Sequence, residues 1–350
     1  MGGQFLLFSN EARRIAANLN QSHDAWIDSL RRLDALPSSM FFVEKSGREY
    51  LAIKRFAGDG GTTQGARSPE TERRLEEFHR DREAAETAVA GTQATLAETV
   101  RQYRALKLPV AMPKPARILR ALDRLELLGS DLVLVGSCAF AAYEMEAGCR
   151  FLQGLDETDD FDLAWCRGSS IAFSRLRAAE PGSPLMRALK SVDASFRLNP
   201  RKPYQALDAS GYQVELLVAP SMFRTLPKGE VFSPMATFVE QEWLLKGRAV
   251  RNVVVDRENR TCPIFAPDPR WMSLHKLWLA RKQERDALKR PKDEAQENLL
   301  LDAVRERMSV GHPLDTDFVL ALPEELRDLF DRWAISRGFV PPKPGELDMR

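Results

Sequence analysis

Three apolar segments in the middle of the chain constrain its fold more than any other feature. The segment DLVLVGS (131–137) is a short continuous apolar run that ends in Gly-Ser, and a helical pattern over 138–148 follows it, closed by Gly148 as a C-cap. A run of this kind is typical of a buried strand that turns tightly into a helix. The segments DFDLAW (160–165) and GYQVELLVAP (211–220) also have strand character. The sequence therefore predicts an α+β fold in which helices flank a sheet with buried strands.

The size and composition of the chain are those of a soluble globular protein. It has 350 residues, of which 44% are apolar and 29% are charged, and a domain holds roughly 150 residues, so we expect about two domains. The formal net charge is +1. The overall charge therefore neither requires nor excludes a nucleic-acid partner, which a local basic patch would have to bind.

The cysteine pattern and the absence of targeting segments favour a cytoplasmic protein. The four cysteines are widely spaced and lack the CxxC or Cys/His spacing of a metal site, so we expect reduced thiols. The N-terminal segment has no basic region of a secretory signal, and no apolar run reaches the ~18 residues of a transmembrane helix. We therefore expect no membrane partner. The cysteines are Cys138, Cys149, Cys166 and Cys262.

The N-terminal third predicts a helix, a hairpin and a second helix. Apolar residues recur at helical spacing over residues 9–36, and residues 40–56 contain two strand-like runs around a Ser-Gly turn. The Gly-rich segment 58–68 is interpreted as a flexible linker. A long polar helix is expected over 68–106, with Ser at its N-cap and Pro at its first position.

Proline-rich segments and changes of pattern predict the domain boundaries. The segment 107–115 holds three prolines in nine residues and is the first boundary. A helix over 115–128 and a fourth strand over 251–256 complete the middle region. From Pro269 the pattern is helical through Arg290, and it restarts at Pro291. The predicted divisions are an N-terminal helix–hairpin–helix region (1–112), a central core (113–256), a C-terminal helical domain (257–340) and a flexible tail (341–350).

Three carboxylates in predicted strands are the candidates for catalysis. Asp160 and Asp162 are two residues apart in a strand, so their side chains leave the same face. Two adjacent carboxylates repel each other, and a cation between them relieves the repulsion. Oxygen ligands of this type select Mg²⁺ or Mn²⁺. Glu215 stands in an apolar strand, where an unpaired charge is costly, and we expect it to complete the same metal site.

Gly136 and Ser137 end a predicted strand just before a helix. A glycine there lets a phosphate approach the backbone, and the helix N-terminus and the Ser137 hydroxyl supply hydrogen-bond donors. Taken singly, each of these features has an ordinary interpretation. An Asp-x-Asp pair is common on exposed strands, Gly-Ser is commonly only a turn, and Glu215 could face water at a sheet edge.

A basic run in the C-terminal helical pattern is the second candidate site. Lys282, Arg285 and Lys289 recur at i, i+3 and i+7, which places them on one helical face. This face could contact a triphosphate or a nucleic-acid backbone, or it could be a solvated face balanced by nearby acidic residues. His275 is interpreted as a structural, hydrogen-bonded histidine, with a catalytic role as the alternative, and the tryptophans at 243, 271 and 278 as core residues rather than base-stacking platforms. The basic residues of the run are Lys276, Arg281, Lys282, Arg285, Lys289, Arg290 and Lys292.

The order of these motifs resembles the polymerase-β-like nucleotidyltransferase superfamily, over residues 40 to 300 or so. A strand with Gly-Ser and a helix precedes Asp-x-Asp in a second strand, and a lone acid follows in a third. The separation of Gly136 and Asp160 by 24 positions exceeds the usual spacing in that superfamily, but it is similar to that in a bacterial nucleotidyltransferase-fold family of largely unassigned function. Toxin and abortive-infection nucleotidyltransferases are more distantly similar. The residues that carry the narrower resemblance are Gly136, Tyr143, Glu144, Ala147, Gly148, Arg150, Phe151, Thr158, Asp160, Asp162, Leu163 and Trp165, with Ser68–Thr71, His275–Trp278, Lys289, Lys292, Asp293 and Gln296.

The resemblance implies a nucleotidyltransferase-fold mixed sheet and transfer of an NMP from an NTP, such as ATP, to an acceptor hydroxyl. It implies that Asp160, Asp162 and Glu215 bind Mg²⁺ or Mn²⁺. It also implies that the nucleotide contacts Gly136, Ser137 and the basic residues Lys276, Arg285, Lys289 and Lys292. The acceptor could be RNA such as tRNA, a protein, or a small molecule. The alternative is a non-catalytic nucleotide-sensing or interaction module on the same fold, for example in a defence or toxin–antitoxin system.

Overall fold

The computed structural model describes residues 4–56, 58–152, 160–165, 183–226, 230–233, 239–282 and 290–343. The side chains of Asp160, Asp162, Trp165 and Lys292 lie outside this description. The chain divides into two compact units: Met1–Ala16 together with Tyr103–Arg350, and Ala17–Gln102.

The described helices and strands follow one another along the chain in a mixed order. They are β1 (Phe5–Leu7), α1 (Asn10–Asp34), β2 (Ser39–Lys45), β3 (Arg48–Lys54), β4 (Thr62–Ala66), α2 (Pro69–Ala105), β5 (Val110–Ala111), α3 (Pro113–Arg124), β6 (Leu132–Val135), a 3₁₀ turn (Ser137–Ala139), α4 (Phe140–Ala147), β7 (Cys149–Phe151), β8 (Asp160–Trp165), α5 (Pro184–Val192), β9 (Arg197–Asn199), β10 (Lys202–Leu207), β11 (Gln213–Val218), two 3₁₀ segments (Pro220–Thr225 and Val239–Leu245), β12 (Val250–Asp256), β13 (Thr261–Ala266), α6 (Pro269–Ala280), α7 (Arg290–Arg307), α8 (Thr316–Leu320) and α9 (Glu324–Ser336).

The unit Ala17–Gln102 combines a three-stranded antiparallel sheet with the greater part of α1 and α2. Strand β3 lies between β2 and β4. The two helices contact each other through hydroxyl pairs: Ser29 Oγ lies 2.9 Å from Thr92 Oγ1, and Ser22 Oγ lies 3.3 Å from Thr99 Oγ1. The helices and the hairpin expected here lie within two residues of the bounds that the sequence predicts.

The interpretation of residues 58–68 as a flexible linker is wrong for residues 62–66, which form β4. This strand pairs antiparallel with β3, where Thr62 lies opposite Ile53 and Thr63 opposite Ala52. Threonine favours extended backbone because it is β-branched. The surrounding glycines hide this short strand from an interpretation based on composition.

The unit that contains Tyr103–Arg350 is built around a five-stranded sheet with the strand order β6-β8-β11-β10-β9. Strands β8 and β11 are parallel, and the other neighbouring pairs are antiparallel. One face of the sheet is core, because Phe161, Leu163, Val214 and Leu216 are at most 1% exposed. The structure therefore confirms the prediction of a mixed sheet with buried strands.

Two smaller sheets accompany the central sheet in this unit. One has the order β13-β12-β5, and the other pairs β1 with β7. The strand predicted over 251–256 is β12, so it belongs to the first of these small sheets rather than to the central one. Helix α4 packs against β12, and α3 packs against β13 and α5.

The C-terminal part of the unit is helical, with α6 packed against α7 and α9. Helix α6 begins at Pro269 as the sequence predicts, but it ends at Ala280 rather than continuing through Arg290. Its buried positions recur up to Ala280, and the six residues that follow are charged or polar, so no apolar stripe extends the helix there. Among the described residues, no helix is long and apolar enough to cross a membrane.

Three of the cysteines are buried free thiols, as the sequence predicts: Cys138, Cys149 and Cys262. Burial raises the pKa of the Cys149 thiol to about 12, so it remains protonated near neutral pH. Cys166 lies outside the described residues.

Candidate functional site

The backbone register places the three predicted carboxylate positions beside one another. Strands β8 and β11 are parallel and in register, so Asp162 is opposite Glu215 and Asp160 is opposite Gln213. On the other side of β8, Asp162 is opposite Val135, the last residue of β6. Because successive residues of a strand alternate between faces, the positions of Asp160, Asp162 and Glu215 lie on one face of the sheet. That face is opposite to the apolar face formed by Phe161, Leu163, Val214 and Leu216.

A polar network on this face holds Glu215. Gln205 of β10 lies opposite Glu215 and is only 2% exposed. Its Nε2 donates hydrogen bonds to Glu215 Oε1 at 2.8 Å and to Gln213 Oε1 at 2.7 Å. Its Oε1 accepts a hydrogen bond of 2.6 Å from Asn199 Nδ2. The Gln205 amide is therefore fixed from both ends, and it restricts the Glu215 carboxylate to one orientation.

The turn between β10 and β11 sets the register of this network. Asp208 accepts hydrogen bonds from the backbone N–H groups of Ser210 and Tyr212 at 2.8 Å and 3.0 Å, and it forms an ion pair with Lys114 of α3. Burial acts to raise the pKa of Asp208, but the Lys114 and Ser210 hydrogen bonds lower it to about 2. The ionised carboxylate thus fixes the turn that places Gln205 opposite Glu215.

Sequence reasoning identified Glu215 but missed Gln205 and its hydrogen bonds. A usable signal was present, because Gln213 and Glu215 alternate with buried apolar residues and Gln205 precedes the turn at a matching distance. Lys202-Pro203 at the start of β10 obscured that strand, since Pro is depleted in strands. Because β10 was not predicted, its register with β11 could not be predicted either.

Gly136 and Ser137 form the turn that leaves the sheet at the end of β6. Gly136 has φ 84° and ψ −167°, a backbone conformation that is essentially confined to glycine. The 3₁₀ turn that begins at Ser137 leads directly into α4. Since Val135 is opposite Asp162, this turn lies next to the row of carboxylate positions. The backbone thus brings Ser137 close to those positions.

The predicted basic contacts are only partly within the described residues. Lys276 is half-buried on α6, and near it Glu297 of α7 is 2% exposed. Burial raises the pKa of Glu297 well above its usual value, while the positive charge of Lys276 acts to lower it. Arg285 and Lys289 lie outside the described residues, and Lys292 is described only in its backbone, within α7.

Lys282, Arg285 and Lys289 were expected to share one helical face, and this expectation is wrong for Lys282. Lys282 lies beyond the end of α6, so helical spacing does not apply to it. Its Nζ lies 3.8 Å from the centroid of the Trp278 ring and 3.8 Å from Glu240 Oε1. These contacts are those of a cation that packs on an aromatic ring.

His275 and Trp243 belong to the packed interior, and Trp278 beside them is half-buried. His275 is 6% exposed, and its ring lies 6.2 Å from those of Trp243 and Trp278. Burial lowers the pKa of His275 to about 3, so the imidazole is neutral at physiological pH. Its Nδ1 has no hydrogen-bond partner among the described residues. These observations fit the structural interpretation of His275. The hydrogen bond expected for this histidine is not found at Nδ1 among the described residues.

Among the side chains that the structure describes, no group of three or more His, Cys, Asp and Glu residues is arranged to hold a metal ion. The side chains of Asp160 and Asp162 are not in that set. The structural support for the predicted metal site therefore comes from the strand register and from the side chain of Glu215.

Comparisons with known proteins assign the chain to a family. No curated protein and no solved structure matches it significantly. A family model described as nucleotidyltransferase matches residues 114–318, which is more than half of the 350 residues. The matched segment contains the Gly136-Ser137 turn, the three carboxylate positions and Lys276. The chain therefore belongs to this nucleotidyltransferase family.

Proposed function

We propose that this protein uses a polymerase-β-like core to transfer an NMP group from an NTP to an acceptor hydroxyl. The observation that carries the proposal is the register of β8 with β11, which sets Asp162 opposite Glu215 with Asp160 two residues before it. Membership of a nucleotidyltransferase family supports the same reaction class.

The donor set fits a hard divalent cation. Asp160, Asp162 and Glu215 offer carboxylate oxygens from adjacent positions on one sheet face, and such ligands suit Mg²⁺ or Mn²⁺. When bound, the metal would activate the acceptor hydroxyl and neutralise charge on the triphosphate. The chain itself restricts Glu215 through the hydrogen bond from Gln205.

The Gly136-Ser137 turn is proposed to hold phosphate oxygens. Gly136 has no side chain to block a close approach to the backbone, and Ser137 begins a helical stretch whose N–H groups attract anions. Lys276 is proposed to add positive charge, and Arg285, Lys289 and Lys292 remain predicted contacts of the triphosphate.

In the proposed reaction the acceptor oxygen forms a bond to the α-phosphorus as the bond from that phosphorus to the bridging oxygen breaks. The electron pair of the broken bond stays on pyrophosphate, and the proton of the acceptor hydroxyl passes to solvent. The chain contributes orientation of the reacting groups and electrostatic stabilisation rather than a covalent intermediate.

The acceptor is proposed to be an RNA such as tRNA, a protein hydroxyl or a small molecule. The test is transfer of label from each α-³²P-NTP, with Mg²⁺, into a cleared bacterial lysate that is then separated into RNA, protein and small-molecule fractions. We expect label in one fraction, and that fraction identifies the class of acceptor.

The control variants distinguish chemistry from binding. Asp162→Asn should abolish transfer, whereas Asp28→Asn, which changes an exposed aspartate of α1, should leave it intact. Mg²⁺-dependent NTP binding without transfer from any nucleotide would support the alternative of a nucleotide-sensing module, for example in a defence or toxin–antitoxin system. Absence of both transfer and NTP binding would exclude the proposed function.

A further inference from the structure

A cavity of 390 Å³ opens beside the Gly136-Ser137 turn, and here it is called the arginine cavity. Four of its lining residues, Ser137, Phe140, Ala141 and Glu144, follow the i, i+3, i+4, i+7 spacing of one helical face. The cavity therefore extends along α4 for about 10 Å from Ser137. Its other lining residues are Val110, Met112, Arg150, Phe151, Arg257 and Gln296.

The position of the arginine cavity connects it with the carboxylate row. Ser137 lies two residues after Val135, and Val135 is opposite Asp162. One end of the cavity is thus at the turn that is proposed to hold phosphate oxygens. The remainder extends past that turn along α4, toward Glu144 and β7.

The charges around the cavity favour an anion. Arg257 follows β12 and is exposed, and its guanidinium has no hydrogen bond or ion pair among the described residues. The second guanidinium, that of Arg150, donates a hydrogen bond of 3.0 Å to the Lys107 carbonyl and keeps further N–H groups available. Two guanidinium groups at one cavity are suited to phosphate, since each can donate two parallel hydrogen bonds.

The carboxyl of Glu144 opposes these charges only in part. Its Oε1 accepts a hydrogen bond of 2.7 Å from the Phe151 N–H and lies 4.0 Å from Arg150 Nε. Burial raises the pKa of Glu144 to about 7, despite the Phe151 hydrogen bond and the Arg150 charge, which act to lower it. The cavity therefore has a positive net charge near neutral pH, and a nearby anion would increase protonation of Glu144 further.

The wall of the cavity suits phosphate better than a nucleobase. The aromatic residues Phe140 and Phe151 are only 3% and 6% exposed, and the half-buried apolar residues Val110 and Met112 have no ring to stack on a base. The polar groups of Ser137, Arg150 and Arg257 therefore supply the contacts. A volume of 390 Å³ also exceeds the space of a single small ion and is in the range of pockets that hold extended ligands.

We infer that the arginine cavity binds the β- and γ-phosphates of the NTP, and then the leaving pyrophosphate, through the guanidinium groups of Arg150 and Arg257. The identity of this ligand rests on the proposed function. As the α–β bond breaks, the departing oxygen keeps the electron pair, and the two guanidinium groups stabilise the negative charge that develops on pyrophosphate. The site therefore selects triphosphates over nucleoside monophosphates.

The test measures binding of tripolyphosphate in the presence of Mg²⁺ by isothermal titration calorimetry, which requires no turnover. We expect Arg257→Gln to weaken binding by about tenfold or more, and the double variant with Arg150→Gln to weaken it further. Arg332→Gln is the matched control, because Arg332 is an exposed arginine on α9 away from the cavity lining, and it should bind as the wild type does. Thermal unfolding of each variant checks that the fold is retained.

Two further measurements separate this inference from neighbouring explanations. Glu144→Gln keeps an acceptor for the Phe151 N–H but has no charge, so it should bind tripolyphosphate at least as tightly as the wild type. AMP binding should be unchanged by Arg257→Gln, because AMP has no β- or γ-phosphate. Tripolyphosphate binding that is absent from the wild type, or that is equal in the wild type and the double variant, would overturn the inference. Binding that depends on the two arginines without transfer of label would support the cavity as an anion site while the proposed function fails.

Discussion

Gln205 is buried, and among the described residues its side-chain amide forms hydrogen bonds with polar side chains on both neighbouring strands. It accepts from Asn199 on β9 and donates to Gln213 and Glu215 on β11. A carboxylate that is held by a fixed donor has less rotational freedom, so it is already oriented when a cation arrives. At the scale of single residues, the orientation of the Glu215 carboxylate therefore depends on an amide that takes no part in the proposed reaction.

The replacement Gln205→Leu tests this positioning role. Leucine has a similar volume but removes the donor to Glu215, so we expect the turnover number of label transfer to fall by about tenfold while KM for the NTP changes little. Gln64→Leu, on an exposed position of β4, is the matched control. A turnover number equal to that of the wild type would show that Glu215 does not need this hydrogen bond.

Gly136 provides a second prediction at the residue scale. At φ 84° and ψ −167° an alanine is strained, so Gly136→Ala should lower the free energy of unfolding by about 1–3 kcal/mol and weaken NTP binding. Gly91→Ala should have the opposite sign, a gain of about 0.5–1 kcal/mol, because Gly91 lies inside α2 with nothing within 4 Å of an added Cβ. Urea unfolding of both variants measures the difference. Equal effects would contradict a conformational requirement at Gly136.

At the scale of elements, the turn from β10 to β11 connects the fold to the site. Asp208 closes this turn through two backbone N–H groups and is paired with Lys114 of α3. The turn therefore fixes which residue of β10 lies opposite Glu215. A fault in the turn would displace Gln205 without touching the carboxylates.

Asp208→Asn should lower the free energy of unfolding by about 2 kcal/mol, because it removes a charged acceptor from two N–H groups and from Lys114. It should also lower the turnover number, since the β10–β11 register loosens. Denaturant unfolding and label transfer together check this prediction. Asp331→Asn, at an exposed position of α9, is the control and should change neither quantity. Loss of stability with full activity would contradict the prediction, because it would show that the turn stabilises the fold but is not needed for activity.

The elements that carry the carboxylates were predictable because their patterns are local. Strand β8 occupies the predicted residues 160–165, and β11 lies within the predicted 211–220. A buried strand shows itself as a short apolar run, and Asp160, Asp162 and Glu215 stand out against such runs. The order of the motifs then identified them as candidate ligands.

The remaining parts of the site were not predictable from the sequence because they depend on contacts between distant segments. Gln205 requires the pairing of β10 with β11, and the arginine cavity joins residues from α4, β7, the end of β12 and α7. The helical pattern from Pro269 predicted that α6 continues to Arg290, and Arg, Lys and Glu are good helix formers, but the helix ends where its buried positions end. Tertiary burial thus overrides local propensity there.

At the scale of the whole molecule, the pH dependence of the free energy of unfolding should reveal the contribution of a buried ion pair. Asp268 is fully buried at the N-cap of α6, with its Oδ2 2.7 Å from Arg270 Nη2 and 3.2 Å from His312 Nδ1. Burial acts to raise the pKa of Asp268, but His312 and Arg270 lower it to about 2. Burial likewise acts to lower the pKa of His312, but the hydrogen bond to Asp268 and the Glu146 carboxylate, 3.8 Å from His312 Nε2, raise it.

The two shifts have opposite consequences for stability. Since the pKa of Asp268 is lowered on folding, its contribution is complete above its ordinary value of 3.8 and is lost as pH falls toward 2. Since the pKa of His312 is raised, its contribution is complete below its ordinary value of 6.5 and is lost as pH rises through the folded value. The pair therefore stabilises the fold most between these two limits.

Asp268→Asn should lower the free energy of unfolding by about 3 kcal/mol at about pH 5 and by clearly less at about pH 2. Urea unfolding across this pH range measures the difference, with Asp315→Asn as a control because Asp315 caps the short helix α8 with a single hydrogen bond. An Asp268→Asn effect that is constant over this range would contradict a titrating ion pair.

The central claim is that Asp160, Asp162 and Glu215 form one metal site within the nucleotidyltransferase core. The most direct test is Mn²⁺ binding measured by electron paramagnetic resonance on wild type, Asp162→Asn, Glu215→Gln and the control Asp28→Asn. We predict that each of the first two variants binds Mn²⁺ at least about tenfold more weakly than the wild type, and that Asp28→Asn binds as the wild type does. Mn²⁺ affinity that is unchanged in Asp162→Asn and Glu215→Gln would contradict the claim.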